Sequence, residues 1–139
     1  MDIGRFFQYI ASGTAYTLGV TLIALPSGLI LGMLFAFLAV YAGIIATRFF
    51  SIYSTIMRGI PPIVLLFILY FLMSGAINLT PFWAGSVSLG IISSAYQMEI
   101  FRGAILSVSG DQMMAARAIG LSKIQAIRTV IFPQMIRIA

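Results

Sequence analysis

Catalysis and metal binding need side chains that carry protons, charge or lone pairs, and this chain is poor in all of them. It has three carboxylates (Asp2, Glu99 and Asp111), eight Lys and Arg residues, no His and no Cys. Disulfides, thiol nucleophiles and the usual zinc sites are thereby excluded. The carboxylates are too scattered to pair, and no GxxxxGK[ST] phosphate loop occurs. No enzymatic activity, cofactor or metal is expected, and any ATP that drives this protein must be bound by another chain. Glu99 is the one carboxylate beside a long apolar stretch, since Gly59 to Met98 carries no charge. Arg102 stands three residues later on the same helical face. Two readings are open: a local ion pair that positions the helix end, or a polar lining of a substrate path shared with Tyr96.

The surroundings define the class. Apolar residues make up 61% of the chain and charged ones 8%, against about 25% charged in a soluble domain. Phe6 to Thr47 is a second charge-free run. Each run is long enough for at least one helix of roughly 20 residues, the length that crosses a bilayer core. The chain reads as an all-α integral membrane protein with one transmembrane domain over residues 1–139. About three spans are expected, near 14–43, 60–73 and 82–108, with "SGAINLTP" (74–81) as a turn. The first run is too long for a signal peptide.

Loop cations set the orientation. Arg5 lies on one side, and Arg48, Arg58, Arg102, Arg117, Lys123, Arg128 and Arg137 lie on the other. By the positive-inside rule the N-terminus is outside and the C-terminal segment cytoplasmic. The net charge of +5 therefore reads as membrane anchoring and lipid contact, and no nucleic acid is expected as a partner. Ala24, Gly28, Gly32 and Ala36 form a stripe of small residues every fourth position, which suits close helix packing. Ser86, Gly90 and Ser94 form a shorter one.

Two further stretches are distinctive. "MRGIPP" (57–62) reads as a helix start, because proline is tolerated in a first turn; this leaves Arg58 and Gly59 without a role. "DQMMAARAIGLSKIQ" (111–125) is short, basic and alanine-rich. Asp111 can cap one helix, Gly120 can end it in a left-handed conformation, and Ser122 can cap another with Ile124, Ile127 and Ile131 on one side. The small surface suits close approach by a partner protein, and equally an amphipathic helix on anionic lipid.

"MAARAIGLSKIQAIRTVIFP" (114–133) resembles the EAA loop of ABC-importer permeases, with Ala115, Ala116, Gly120, Val130, Phe132 and Pro133 in register. Met114 stands where that pattern has glutamate. "AYQMEIFRGAILSV" (95–108), "RGIP" (58–61), "PQMIR" (133–137) and "TLGVTLIALPSGLILG" (17–32) are similar to the polar amino-acid permeases of that family. The resemblance implies a type I importer permease fold in a prokaryotic inner or plasma membrane. It implies that Met114, Ala115, Ala116, Arg117, Gly120, Leu121 and Ser122 form the coupling helix that docks on a cytoplasmic ABC ATPase subunit. It further implies a second permease chain, same or homologous, and an external substrate-binding protein. Members of the family continue into further spans, so the chain is expected to be the N-terminal portion of a longer permease. The competing expectation is a non-transporting membrane protein whose basic cytoplasmic helix binds lipid or a regulatory partner.

Overall fold

The structure, a computed structural model, describes residues 3–77, 79–108 and 110–139. Its described residues are helical almost throughout. In chain order the elements are α1 (Ile3–Tyr41), α2 (Ile44–Gly59), α3 (Pro62–Ile77), α4 (Pro81–Ser107), α5 (Gly110–Ala118) and α6 (Lys123–Ala126). A π-helical segment (Ile127–Ile131) then leads into α7 (Phe132–Ile138).

α1 is 39 residues long, ~58 Å at 1.5 Å per residue, and so exceeds a bilayer core. Its Ser and Thr hydroxyls are satisfied locally: Thr14, Thr17, Thr21 and Ser27 each donate to the carbonyl four residues back. That closure lets polar residues sit in an apolar helix without stranding a donor. It also flanks Pro26, whose missing N–H interrupts the ladder.

α1 and α4 run parallel and make the main contact. Ala24 and Ala36 are buried, and the glycines between them lie directly against α4. A Cβ on Gly28 would collide with the Ser93 side chain. One on Gly32 would lie 2.5 Å from Cβ of Gln97 and 2.9 Å from the Met98 nitrogen. From the other side, a Cβ on Gly90 would meet the Ser27 hydroxyl at 2.9 Å. The four-residue stripe on α1 is thus where the two backbones approach. Below it Ala36, Ala39, Met98, Phe101, Ala104 and Ile105 form the core, joined by Ile131 and Met135 of the C-terminal helices. The outer surface is apolar, with Leu22, Ile30, Phe71 and Leu72 well exposed.

The elements differ from the expected spans in four respects. The first helix starts at Ile3, well before residue 14, and ends at Tyr41. The third runs from Pro62 to Ile77, absorbing half of the expected 74–81 turn; residue 78 of that turn lies outside the described residues. Residues 44–59, expected only to supply inward cations, form α2. Pro61 and Pro62 explain the break that follows, because each disfavours the α conformation of the residue before it. Ile60 is accordingly extended (φ −87°, ψ 125°), and α2 and α3 meet at 99°. The fourth difference is that α1 alone, among the described helices, is both long and apolar enough to cross a membrane by itself. α2 with α3 passes that test as a bent pair, and α4 is 27 residues long but rich in Ser.

Gly32→Val is expected to lower the thermal midpoint of the purified protein in detergent, by an overpacking cost of about 1–3 kcal/mol. Gly13→Val, at a helical glycine with open space around it, is the control and does not lower the midpoint.

Candidate functional site

Two regions combine polar chemistry with accessibility. The first is the corner after α4. Asp111, expected as a cap, lies inside the first turn of α5, where a negative charge still favours the positive end of the helix dipole. α5 ends in a Schellman motif: Gly120 N–H donates to the Arg117 carbonyl at 3.1 Å, and Leu121 N–H to the Ala116 carbonyl at 3.1 Å. Gly120 supplies the required left-handed conformation at φ +90°. Ser122 follows at once with a capping box. Its Oγ accepts from Gln125 N–H at 3.3 Å, and its own N–H donates to Gln125 Oε1 at 2.8 Å. Four consecutive backbone N–H groups, from Ile119 to Ser122, are therefore engaged, which holds the corner in shape.

Ala116 is buried under this corner, whereas Met114, Ala115, Arg117, Gly120 and Ser122 are exposed and Leu121 is half-buried. The three isoleucines do not share one side. Ile124 is 78% exposed, Ile127 is half-buried and Ile131 is buried. The wider turn between Ile127 and Ile131 shifts the register, and Pro133 at its end cannot donate into the ladder. The result is a knob with exposed Met114, Ile119 and Ile124 set among Arg117, Lys123 and Arg128.

The knob is fastened twice. Ile131 and Met135 enter the core formed by α1 and α4. Lys123 Nζ donates to the Tyr41 carbonyl at 3.4 Å and lies 5.3 Å from the centre of the Tyr41 ring. A cation at the last carbonyl of α1 complements the negative end of that helix. Sequence reading missed this contact because its partners are 82 residues apart.

The second region is the seam where α2 crosses α4. Tyr53 OH bonds to Ser94 Oγ at 2.6 Å and to the Ile91 carbonyl at 3.2 Å. Ser54, fully buried, donates to the Ala95 carbonyl at 3.4 Å. Phe35 of α1 packs on both Phe50 and Tyr53. One turn along α4, Arg102 grips Glu99 Oε2 through Nη2 at 2.8 Å and Nε at 3.1 Å. The Ser54 hydroxyl and the Arg58 guanidinium also lie within electrostatic reach of Glu99. Tyr96 is half-exposed on the adjoining face of α4, and among the described residues no hydrogen bond joins it to Glu99.

Arg58 closes α2. Its Nε reaches the Ser54 carbonyl at a long 3.4 Å, and Glu99–Arg102 is the one ion pair among the described residues. A cation in a helix's last turn gains about 0.3–1 kcal/mol from the dipole. Placing an arginine at membrane depth costs about 3 kcal/mol on insertion scales. The dipole alone does not offset that cost. Among the described residues no three His, Cys, Asp or Glu side chains come together as a metal site.

Residues 28–139 match the family described as the binding-protein-dependent transport system inner membrane component. The chain is 35% identical over 131 residues to the glutamine transport system permease protein of Escherichia coli, covering 92% of this chain and 60% of that one. It is 38% identical over 135 residues to a probable amino-acid ABC transporter permease protein of Bacillus subtilis, covering 96% and 59%. The crystal structure of an amino acid ABC transporter with histidines superimposes with a TM-score of 0.80 at 34% identity, over 99% of this chain and 66% of that one. The chain thus spans about 60% of the length of the curated relatives it matches.

Removing one member of the Glu99–Arg102 pair strands a partly buried charge, whereas removing both does not. Glu99→Gln is expected to reduce the folded, membrane-inserted fraction, with a loss of about 1–3 kcal/mol. Adding Arg102→Gln recovers at least half of it. Fluorescence-detected size exclusion of the variants reads the folded fraction directly.

Proposed function

Because the chain belongs to the family of inner membrane components of binding-protein-dependent transport systems, we propose that it forms the membrane-embedded part of an ABC importer for polar amino acids. The names of its Escherichia coli and Bacillus subtilis relatives, a glutamine permease and an amino-acid permease, support that substrate class. They favour import over a non-transporting membrane protein. The observation that carries the mechanism is the knob: a conformationally fixed, exposed corner whose base is built into the same core as α1 and α4.

In this reading α1, the bent α2–α3 pair and α4 are three crossings, with the N-terminus outside and the knob in the cytoplasm. Met114, Ala115, Ala116, Arg117, Gly120, Leu121 and Ser122 meet an ABC ATPase subunit. Exposed Met114 and Ile119 supply apolar contact, Arg117 supplies charge, and buried Ala116 keeps the corner low. Met114 in place of an acidic residue makes that contact more apolar. ATP-driven displacement of the ATPase subunit then moves the knob and, through Ile131, Met135 and Lys123, the ends of α4 and α1. A second permease chain completes the path, an external binding protein delivers the substrate, and Tyr96 and the Glu99–Arg102 pair border the route.

Gly120→Val tests the coupling surface. A Cβ there meets nothing within 4 Å, so its cost is conformational, about 1–2 kcal/mol for a left-handed residue. The variant is expected to insert normally, to retain less ATPase subunit on co-purification, and to lose at least ten-fold in uptake by proteoliposomes. Undiminished complex and uptake would remove the knob from the mechanism.

Orientation has its own test. A cysteine at Ser122 is expected to react with an impermeant thiol reagent only after the membrane is opened, and one at Thr80 to react in intact spheroplasts. The opposite labelling would reverse the topology.

A further inference from the structure

Arg58 forms no ion pair among the described residues, and its position sets it apart from the other unpaired cations. α2 begins beside the inner end of α1, where the Thr47 hydroxyl donates to the Ala39 carbonyl at 2.6 Å. By Ser54 it has reached Ala95 of α4, next to Ser93 and Ser94, which pack against Gly28 and Gly32. Gly28 lies near the middle of the charge-free run from Phe6 to Thr47. Arg58 follows Ser54 by one turn, and the chain then breaks by 99° into α3. Arg58 is therefore an exposed residue at the elbow of a broken helix pair that is long and apolar enough to be one span.

No carboxylate among the described residues forms an ion pair with it. Glu99 already takes both bonds from Arg102, so Arg58, Glu99 and Arg102 together carry one net positive charge. An ionised group at that depth faces a water-filled path or a partner, and discontinuous helices in transporters are where substrates are bound. Guanidinium matches a carboxylate in charge and in two-pronged hydrogen-bonding geometry.

We propose that Arg58 receives the α-carboxylate of the amino acid as it passes the α2–α3 elbow, with the Glu99–Arg102 pair fixing the electrostatics beside it. The inference rests on the importer reading and names the substrate group recognised within it. One carboxylate neutralises the cluster. Because every amino acid carries that group, Arg58 sets the class of substrate and leaves side-chain choice to other residues.

The test uses the permease assembled with its ATPase subunits in nanodiscs without the binding protein. Labelled glutamine and labelled histidine are the probes, competed by their α-amides, which lack the carboxylate. The wild type is expected to prefer the acid over its amide by at least ten-fold. Arg58→Gln is expected to bind the acids at least ten-fold more weakly and to lose that preference, while eluting as an assembled complex. Should Arg58→Gln fail to assemble, Arg58→Lys carries the test, with a several-fold loss and a narrowed preference, since lysine cannot bind in two-pronged fashion. Undiminished affinity and preference in the variant that assembles would overturn the inference. So would a wild type that imports amino acids yet binds neither probe, or an Arg58 effect seen in phosphatidylglycerol and absent in phosphatidylcholine, which would assign the arginine to lipid. A wild type that imports none of the twenty amino acids with binding protein and ATP would instead refute the importer reading itself.

Discussion

The whole arrangement depends on how closely α1 and α4 approach. In a lipid environment two apolar helices gain little from leaving their surroundings, so attraction comes from van der Waals contact at short range. Gly28 and Gly32 on one side and Gly90 on the other remove the side chains that would hold the backbones apart. That contact brings Ser93, Ser94 and Ala95 against the middle of α1. It also forms the floor on which Tyr53 and Ser54 of α2 find their partners. Lower down, the same pairing creates the pocket that Ile131 and Met135 fill.

Polar groups are handled in two distinct ways along this scaffold. Most hydroxyls fold back on the preceding turn, as Thr17, Thr21, Ser86 and Ser88 do. Among the described residues no buried side-chain nitrogen or oxygen lacks a partner. Tyr53, Ser54 and Thr47 instead reach across helices, which fixes α2 on the α1–α4 pair. The difference separates groups that merely tolerate an apolar setting from groups that position an element.

Much of this was legible in the sequence, for identifiable reasons. The stripe at Ala24, Gly28, Gly32 and Ala36 has helical spacing, and a Cβ-free row has few uses in a long apolar helix. Gly120 and Ser122 were readable because left-handed closure and capping are local chemistry. α2 was not readable: its ends are set by Gly43 and by the Pro61-Pro62 pair, and its inward face is polar, so an apolar-run criterion passes over it. The 99° elbow is not separable in the sequence from a simple helix start, because both place prolines at the same positions. The isoleucine face expected after Ser122 is not formed, because a π segment changes the register without any local sequence signal. The Lys123–Tyr41 contact depends on the tertiary arrangement alone.

The knob and the α1–α4 pair share one core and are expected to move as one body, so that motion at the corner is motion of the long helices. Spin labels at Leu22 and Ile124, both well exposed, report on it through their distance in the assembled transporter. The account predicts one narrow distance distribution that is the same without nucleotide and with ATP trapped. A distribution that shifts or broadens between those states would show the knob moving independently of α1, and would contradict coupling through this core.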